Sequence, residues 1–199
     1  MKKFMFVFVM GMMIIPYSFS QNMVLFGADT GYFKPNIGKY ITKEDDYYVR
    51  DYWNYNIGFN LQLFNPFIQN DSLLSFGSMT LSDQYNEVKN NGNSSLKDYQ
   101  KFMFGIKDNL YVTLDTKFIG LRAGVSGSLG IYDFFDFLFN ATGLFGVCFF
   151  PKSLIALAID VCPGFAVDFH VNGATDMSLN KAGFILPVSA CIRFNLDKL

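Results

Sequence analysis

The chain is 199 residues long, 51% hydrophobic and 18% aromatic, with only 17% charged residues, where soluble domains average about 25%. Its 16 Lys and Arg nearly balance 17 Asp and Glu, so it offers no basic face for nucleic acid. Beyond the N-terminus no apolar run reaches the ~20 residues of a membrane-crossing helix, because Asp133, Asp136, Lys152, Asp160 and Asp168 interrupt every candidate.

The N-terminus begins Met1-Lys2-Lys3, runs apolar from Phe4 to Ile15, breaks at Pro16 and closes with Ser18-Phe19-Ser20. A basic start, a short apolar centre and a small-x-small end define a secretory signal peptide. It is expected over residues 1–20, with cleavage near Ser20–Gln21. The apolar run is too short to anchor the chain as a helix, and no Cys follows it as a lipid acceptor. Residues 21–199 are read as one exported domain.

The rest of that domain reads as strands. Residues 23–33 alternate weakly, and residues 34–51 form a charged connection with Lys39, Lys43, Glu44, Asp45 and Asp46. From Trp53 to Leu63 the alternation is unbroken: Trp53, Tyr55, Ile57, Phe59, Leu61 and Leu63 fall on one face, and Asn54, Asn56, Gly58, Asn60 and Gln62 on the other. Side chains in a strand alternate with period two, so this segment has a bulky apolar surface and an uncharged polar one. Residues 64–72, around Asn65-Pro66, read as a connection, and 73–82 as a strand. A polar connection over 83–98 carries an Asn91-Gly92 turn signal.

Phe102, Phe104, Ile106, Leu110, Val112 and Leu114 form one row, spoiled only by Asp108. Leu121, Ala123, Val125, Leu129 and Ile131 oppose Arg122, Gly124, Ser126, Ser128 and Gly130. Phe139, Phe145, Val147 and Phe149 oppose Asn140, Thr142, Gly146 and Cys148. Ile155, Leu157, Ile159 and Val161 oppose Ala156, Ala158, Asp160 and Cys162, and the row resumes after Pro163-Gly164 with Phe165, Val167 and Phe169. Residues 172–180 read as a loop. Phe184, Leu186, Val188, Ala190, Ile192, Phe194 and Leu196 then oppose Pro187, Ser189, Cys191, Arg193 and Asn195, with Ile185 the exception. Pro187 inside this strand predicts a bulge or an unpaired edge.

An exported, aromatic-rich chain of such strands meets lipid in one way, as a closed barrel, because every backbone polar group must be paired inside a bilayer. The expected fold is all-β: an eight-stranded antiparallel up-and-down transmembrane β-barrel. Connections alternate between long and short apart from 132–136, as extracellular loops and periplasmic turns do. Aromatics gather toward the loops (Trp53, Tyr55, Phe102) and toward the turns (Phe67, Phe118, Phe149, Phe150), as interfacial girdles do. A soluble sandwich or lipocalin-like barrel also alternates. Its strands, however, average about 5–6 residues rather than the ~9–11 of a tilted membrane strand, and its water-facing side would not carry mostly Gly, Ala, Ser and Asn.

Across residues 22–197 this pattern resembles the small outer-membrane barrels of the OmpA/OmpX-like superfamily, with the OmpW-like barrels as neighbours. The resemblance implies location in the cell outer membrane, contact with its lipid, and delivery by the barrel-insertion machinery. Such barrels usually end on an aromatic residue that this machinery reads; here the end is Phe194-Asn195-Leu196-Asp197-Lys198-Leu199, and Phe194 takes that place.

The polar rows put Arg122, Asp160, Asp168, His170 and Arg193 in the lumen, together with Asp29 and Lys107. Counting back from the 172–180 loop sets Asp160 beside Arg193. A charge inside a wall is costly unless paired, so these residues form either a gate or a salt-bridged plug, and the narrow lumen of eight strands favours the plug. His170 is the only histidine. Catalysis would need it beside a serine such as Ser178 or Ser189, and no nucleophile signature accompanies it. Cys148, Cys162 and Cys191 all fall on inward rows; an odd number leaves at least one thiol unpaired, and Cys162 with Cys191 are the candidates for a cross-strand disulfide. No metal-ligand spacing appears, and neither cofactor nor catalytic group is expected. The reading is a non-enzymatic barrel for envelope structure or surface interaction through 34–51 and 83–98, taking a surface ligand. The alternative is a narrow pore or carrier for a small solute.

Overall fold

The computed structural model describes residues 21–34, 47–62, 67–83, 99–133, 136–172 and 176–199; residues 1–20, on which the expected signal peptide falls, most of residues 34–51 and 83–98, and Leu63 lie outside them. Nine strands follow in chain order: β1 (Gln21–Lys34), β2 (Tyr47–Gln62), β3 (Ile68–Asp83), β4 (Tyr99–Asp115), β5 (Ile119–Asp133), β6 (Asp136–Phe149), β7 (Ile155–Val161), β8 (Gly164–Asn172) and β9 (Asp176–Asn195). Each pairs antiparallel with its neighbour, and β1 returns to β9 from Met23↔Asn195 to Lys34↔Phe184. The ladder therefore closes on itself.

β7 and β8 are two halves of one barrel strand, so the wall has eight. Both lie between β6 and β9, with Val161↔Val188 and Gly164↔Ile185 in one continuous register. The interruption has a chemical cause. Proline has no N–H: Pro163 accepts from the Gly143 amide at 2.9 Å and Pro187 from the Cys162 amide at 2.8 Å, but neither can return the bond. Pro187 thus makes neither a bulge nor an edge. It sits within the closed ladder, opposite Gly31 on one side, with its missing rung falling on the β7–β8 break.

Two connections are shorter than their sequence suggests. Ile68–Ser72 belongs to β3 and Asp176–Lys181 to β9. Asn70, Asp71 and Ser72 hide the first of these, being polar on both faces; as shown below, each face has its own reason. The unbroken strands run from 14 to 20 residues, longer than the ~9–11 that cross hydrocarbon.

The exterior is apolar. Trp53 is 48% exposed, and Tyr55, Ile57, Phe59, Phe76, Phe104, Leu121, Val125, Phe145, Ile155, Phe165 and Ile192 are exposed with it. Leu61, at the turn end of the same β2 row, is buried instead. The inward rows hold charged and polar groups buried below one tenth exposure, Asp71, Lys107, Arg122, Asp160 and Arg193 among them. Greasy outside and charged inside inverts the arrangement of a water-soluble domain, and it removes the soluble sandwich. Phe67, Phe118 and Phe150 mark one rim of the belt, with Phe118 and Phe150 edge to face at 6.4 Å, as Phe26 and Phe194 are at 5.8 Å. Phe150 takes a left-handed φ of 55° in the β6–β7 turn, where its amide bonds to Phe118 O at 2.7 Å.

The interior is not filled by small residues alone. Tyr52, Met79, Met103, Tyr132, Leu138, Ala166 and Ile185 form an apolar layer across the lumen toward the loop end, which explains why Ile185 breaks the β9 alternation. Glycines on facing rows make the space: a methyl on Gly130 would collide with Met103 Sδ, at 2.5 Å.

Trp53, the single tryptophan, provides a direct check of this orientation. In vesicles of brominated lipid its fluorescence should be strongly quenched; emission unchanged from that in ordinary lipid would mean that the β2 apolar face points inward.

Candidate functional site in the barrel lumen

Below the apolar layer the wall brings together an ion cluster from six strands, β2, β3, β4, β5, β7 and β9. Asp71 on β3 is its centre. Its Oδ2 accepts from Arg122 Nη2 at 2.7 Å and from Arg193 Nη1 at 3.1 Å, and its Oδ1 accepts from Asn60 Nδ2 at 2.7 Å and the Tyr111 hydroxyl at 3.0 Å. Arg122 Nη1 donates to Asp160 Oδ2 at 2.9 Å. Gln69 Oε1 accepts from Arg193 Nη2 and Asn60 Nδ2 and lies 3.0 Å from the Tyr111 hydroxyl, whose one proton it shares with Asp71. The Arg122 guanidinium lies 4.0 Å from the Tyr111 ring centroid, a stacking that suits its planar, weakly hydrated cation. Two arginines and two aspartates leave the cluster neutral, which is what allows it to be buried.

Geometry follows from register. Gly146 faces Asp160 across β6–β7, and a methyl there would collide with the Asp160 carboxylate. Gly124 stands opposite Tyr111, where an added methyl would collide with the Leu110 carbonyl and with Cα and Cβ of Tyr111. Nearer the loop end Lys107 Nζ donates to Asp29 Oδ2 at 2.7 Å, so both of these residues are in the lumen as read from sequence, and they are a pair. Asp168 accepts from the Tyr132 hydroxyl at 2.6 Å. His170 Nδ1 meets Asp136 Oδ1 at 2.5 Å, partly exposed at the mouth.

Arg122, Asp160 and Arg193 therefore converge, while Asp168 and His170 stand apart near the loop end. The expected Arg193–Asp160 pairing is corrected: Asp160 lies opposite Ser189 and Arg193 opposite Ala156, too far apart along the strands to bond, because β9 begins at Asp176 and the count from the loop is off by several residues. Each finds another partner, Arg122 for Asp160 and Asp71 for Arg193. Asp71, Gln69, Tyr111 and Asn60 are the members that sequence reasoning missed. Asn60 and Tyr111 do sit on inward rows, whereas Asp71 and Gln69 fell in a segment read as a connection.

Of the serines considered with His170, Ser178 is its register partner across β8–β9, whereas Ser189 lies opposite Asp160. The candidate Cys162–Cys191 disulfide does not form. Cys148, Cys162 and Cys191 are all free; Cys162 bonds to the Pro187 carbonyl, while Cys191 stands opposite Ala158, four residues away along the strand. Among the described residues no cluster of His, Cys, Asp and Glu is placed to hold a metal ion.

A cavity of about 10 Å³ lies among Asp29, Asn54, Lys107 and Asn140, and another of about 10 Å³ among Gln69, Tyr111, Arg122 and Arg193. Each has room for about one water molecule. What the arrangement does chemically is fill and brace the lumen.

An eight-stranded antiparallel wall that closes on itself, apolar outside and filled by a neutral polar network, defines a small transmembrane β-barrel. No protein-family model matches the chain, and no curated protein matches it by sequence. Among solved structures the fold is similar to Neisserial surface protein A, at 10% identity and TM-score 0.42 over 87% of this chain and 96% of that one. It is similar also to Ail, the attachment invasion locus protein of Yersinia pestis, at 12% identity and TM-score 0.39 over 87% and 98%. The P. putida toluene transporter TodX gives 10% identity and TM-score 0.23 over 92% of each chain.

Removing one member of a buried ion cluster leaves the other uncompensated, at about 3–5 kcal/mol. Asp71→Ala should reach that range in urea unfolding from lipid vesicles, and exceed Asp160→Ala, because Asp71 serves both guanidiniums. In double-mutant cycles Arg122→Ala and Asp160→Ala should couple by about 1 kcal/mol or more, whereas Arg193→Ala and Asp160→Ala should couple much less. Equal coupling in the two cycles would overturn the assignment of partners.

Proposed function

We propose that the protein is a non-conducting barrel of the bacterial outer membrane that acts through its loop end, as an element of envelope structure and surface interaction. The observation that carries this reading is the blocked lumen. A molecule entering from the loop end would meet Tyr52, Met79, Met103, Tyr132, Leu138 and Ile185 packed together, then the Asp71 cluster, with gaps that hold about one water each. A solute path would need both layers to rearrange at once. The neutral ion cluster resists this, since separating its members exposes several buried charges together.

A plugged barrel leaves the loops to do the work. Residues 35–46 and 84–98 are rich in groups suited to contact: Tyr40, Lys39, Lys43, Glu44, Asp45 and Asp46 in the first, Tyr85, Glu87, Lys89, Lys97 and several asparagines in the second. Mixed charge with tyrosine fits a polar macromolecular surface better than a small apolar solute. The turn end, with Phe67, Phe118, Phe150 and both chain ends, is the periplasmic side in this reading. Outward-facing Phe194, packed on Phe26, is the aromatic offered to the insertion machinery.

In planar bilayers the folded protein should give no steady open level, and shortening residues 35–46 and 84–98 to tight turns should abolish binding to intact target cells while heat-dependent gel mobility is kept. Stable single-channel steps at low voltage would favour the alternative, a narrow pore or carrier.

A further inference from the structure

A charged notch lies halfway along the lipid-facing wall. The outward row of β4 runs Phe102, Phe104, Ile106, Asp108, Leu110, Val112, Leu114, and Asp108 is its middle member. Across β3–β4 it stands opposite Ser72, whose hydroxyl is 2.6 Å from Asp108 Oδ1 and 2.9 Å from Asn70 Oδ1. One hydroxyl proton therefore faces two acceptors. Asn70 uses its amide on the Asn109 carbonyl at 3.3 Å, a long bond. On the other side Asp108 faces Gly127, where an added Cβ would meet only the Asn140 carbonyl at 3.8 Å, and Gly127 faces Ala141.

Bulky apolar side chains rim this floor of small and polar groups. Phe59 and Phe165 end the same level, at 49% and 59% exposure, and Leu74, Phe104, Leu110 and Val125 stand above and below. Acyl chains offer such a floor nothing: they neither donate nor accept, and the headgroups lie half a membrane away. Ionisable side chains at this depth turn inward or face a partner as a rule.

We propose that the notch formed by Asn70, Ser72 and Asp108 is where a second copy of this chain docks in the membrane. The notch is its own complement. The Ser72 hydroxyl is spent within its own wall, but Asn70 keeps a second amide hydrogen and Asp108 its Oδ2, so a two-fold rotation sets the carboxyl of each copy against the Asn70 amide of the other. That is the isologous contact that closed dimers use. The small floor at Gly127 and Ala141 lets two walls approach closely, as small residues do between membrane segments, and the apolar rim continues the lipid-facing surface around the contact. A different protein would have to bring its own cation to mid-depth, and on a lipid-facing wall Lys and Arg are costlier than Asp.

The test is the association state of the full mature chain in mild detergent and in lipid nanodiscs of increasing protein content, by sedimentation equilibrium and light scattering. The wild type should sediment as two copies. Asp108→Leu should keep its heat-dependent gel mobility, showing a folded barrel, and associate at least about tenfold more weakly. Asp108→Asn, which can still bond across the two-fold, should remain associated. A wild type that stays single at every ratio overturns the proposal, and so does an Asp108→Leu chain that pairs as tightly as the wild type.

Discussion

The hydrogen-bond ladder between β1 and β9 is the contact on which the rest depends. A sheet placed in hydrocarbon cannot leave an edge, since each unpaired N–H or C=O there costs several kcal/mol. Once Met23 to Lys34 has paired with Asn195 to Phe184, the two faces of the sheet become an outside and an inside that never exchange. Every alternation in the chain is then assigned to lipid or to lumen. Strand tilt and stagger follow from closure too, and they decide which inward side chains meet.

The interior is built in layers because the lumen is too narrow for anything but side chains. Large residues alternate with glycines on facing strands, as Met103 with Gly130 and Tyr111 with Gly124. Charges come in compensating sets: Asp71 and Asp160 with Arg122 and Arg193, and Lys107 with Asp29. Hydrophobic packing and ion pairing thus solve the same problem at different heights. The outer wall supplies no competing apolar drive, since lipid tails are as apolar as its own side chains.

Much of the wall was legible in the sequence. The row Trp53, Tyr55, Ile57, Phe59 was read as facing lipid from its length and from the small, uncharged row opposite it, and the strand count came from the same alternation. Arg122, Asp160, Asp168, His170 and Arg193 could be assigned to the inward rows, yet their partners could not. Partnership depends on register summed around a closed ring, and an error of a few residues at the start of β9 moved Asp160 from Ser189 to Ile192. Ile68–Ser72 was illegible for a different reason. Polarity on both faces reads as a loop unless one knows that Gln69 and Asp71 meet arginines inside, while outside Ser72 meets Asp108 and Asn70. The apolar layer around Ile185 likewise contradicted the simple expectation that a polar row lines the whole lumen.

The paired prolines have a consequence for how the wall behaves in time. Pro163 and Pro187 each delete one cross-strand rung, and both deletions fall at the same height, on either side of Cys162. The barrel therefore has a seam weaker than the ladders flanking it. Amides next to that seam, such as those of Cys162 and Gly143, rest on rungs with no reciprocal bond, so thermal opening should begin there rather than at the closure. A cylinder that breathes at one preset place can relax mechanical strain from the surrounding bilayer without parting where its two ends meet.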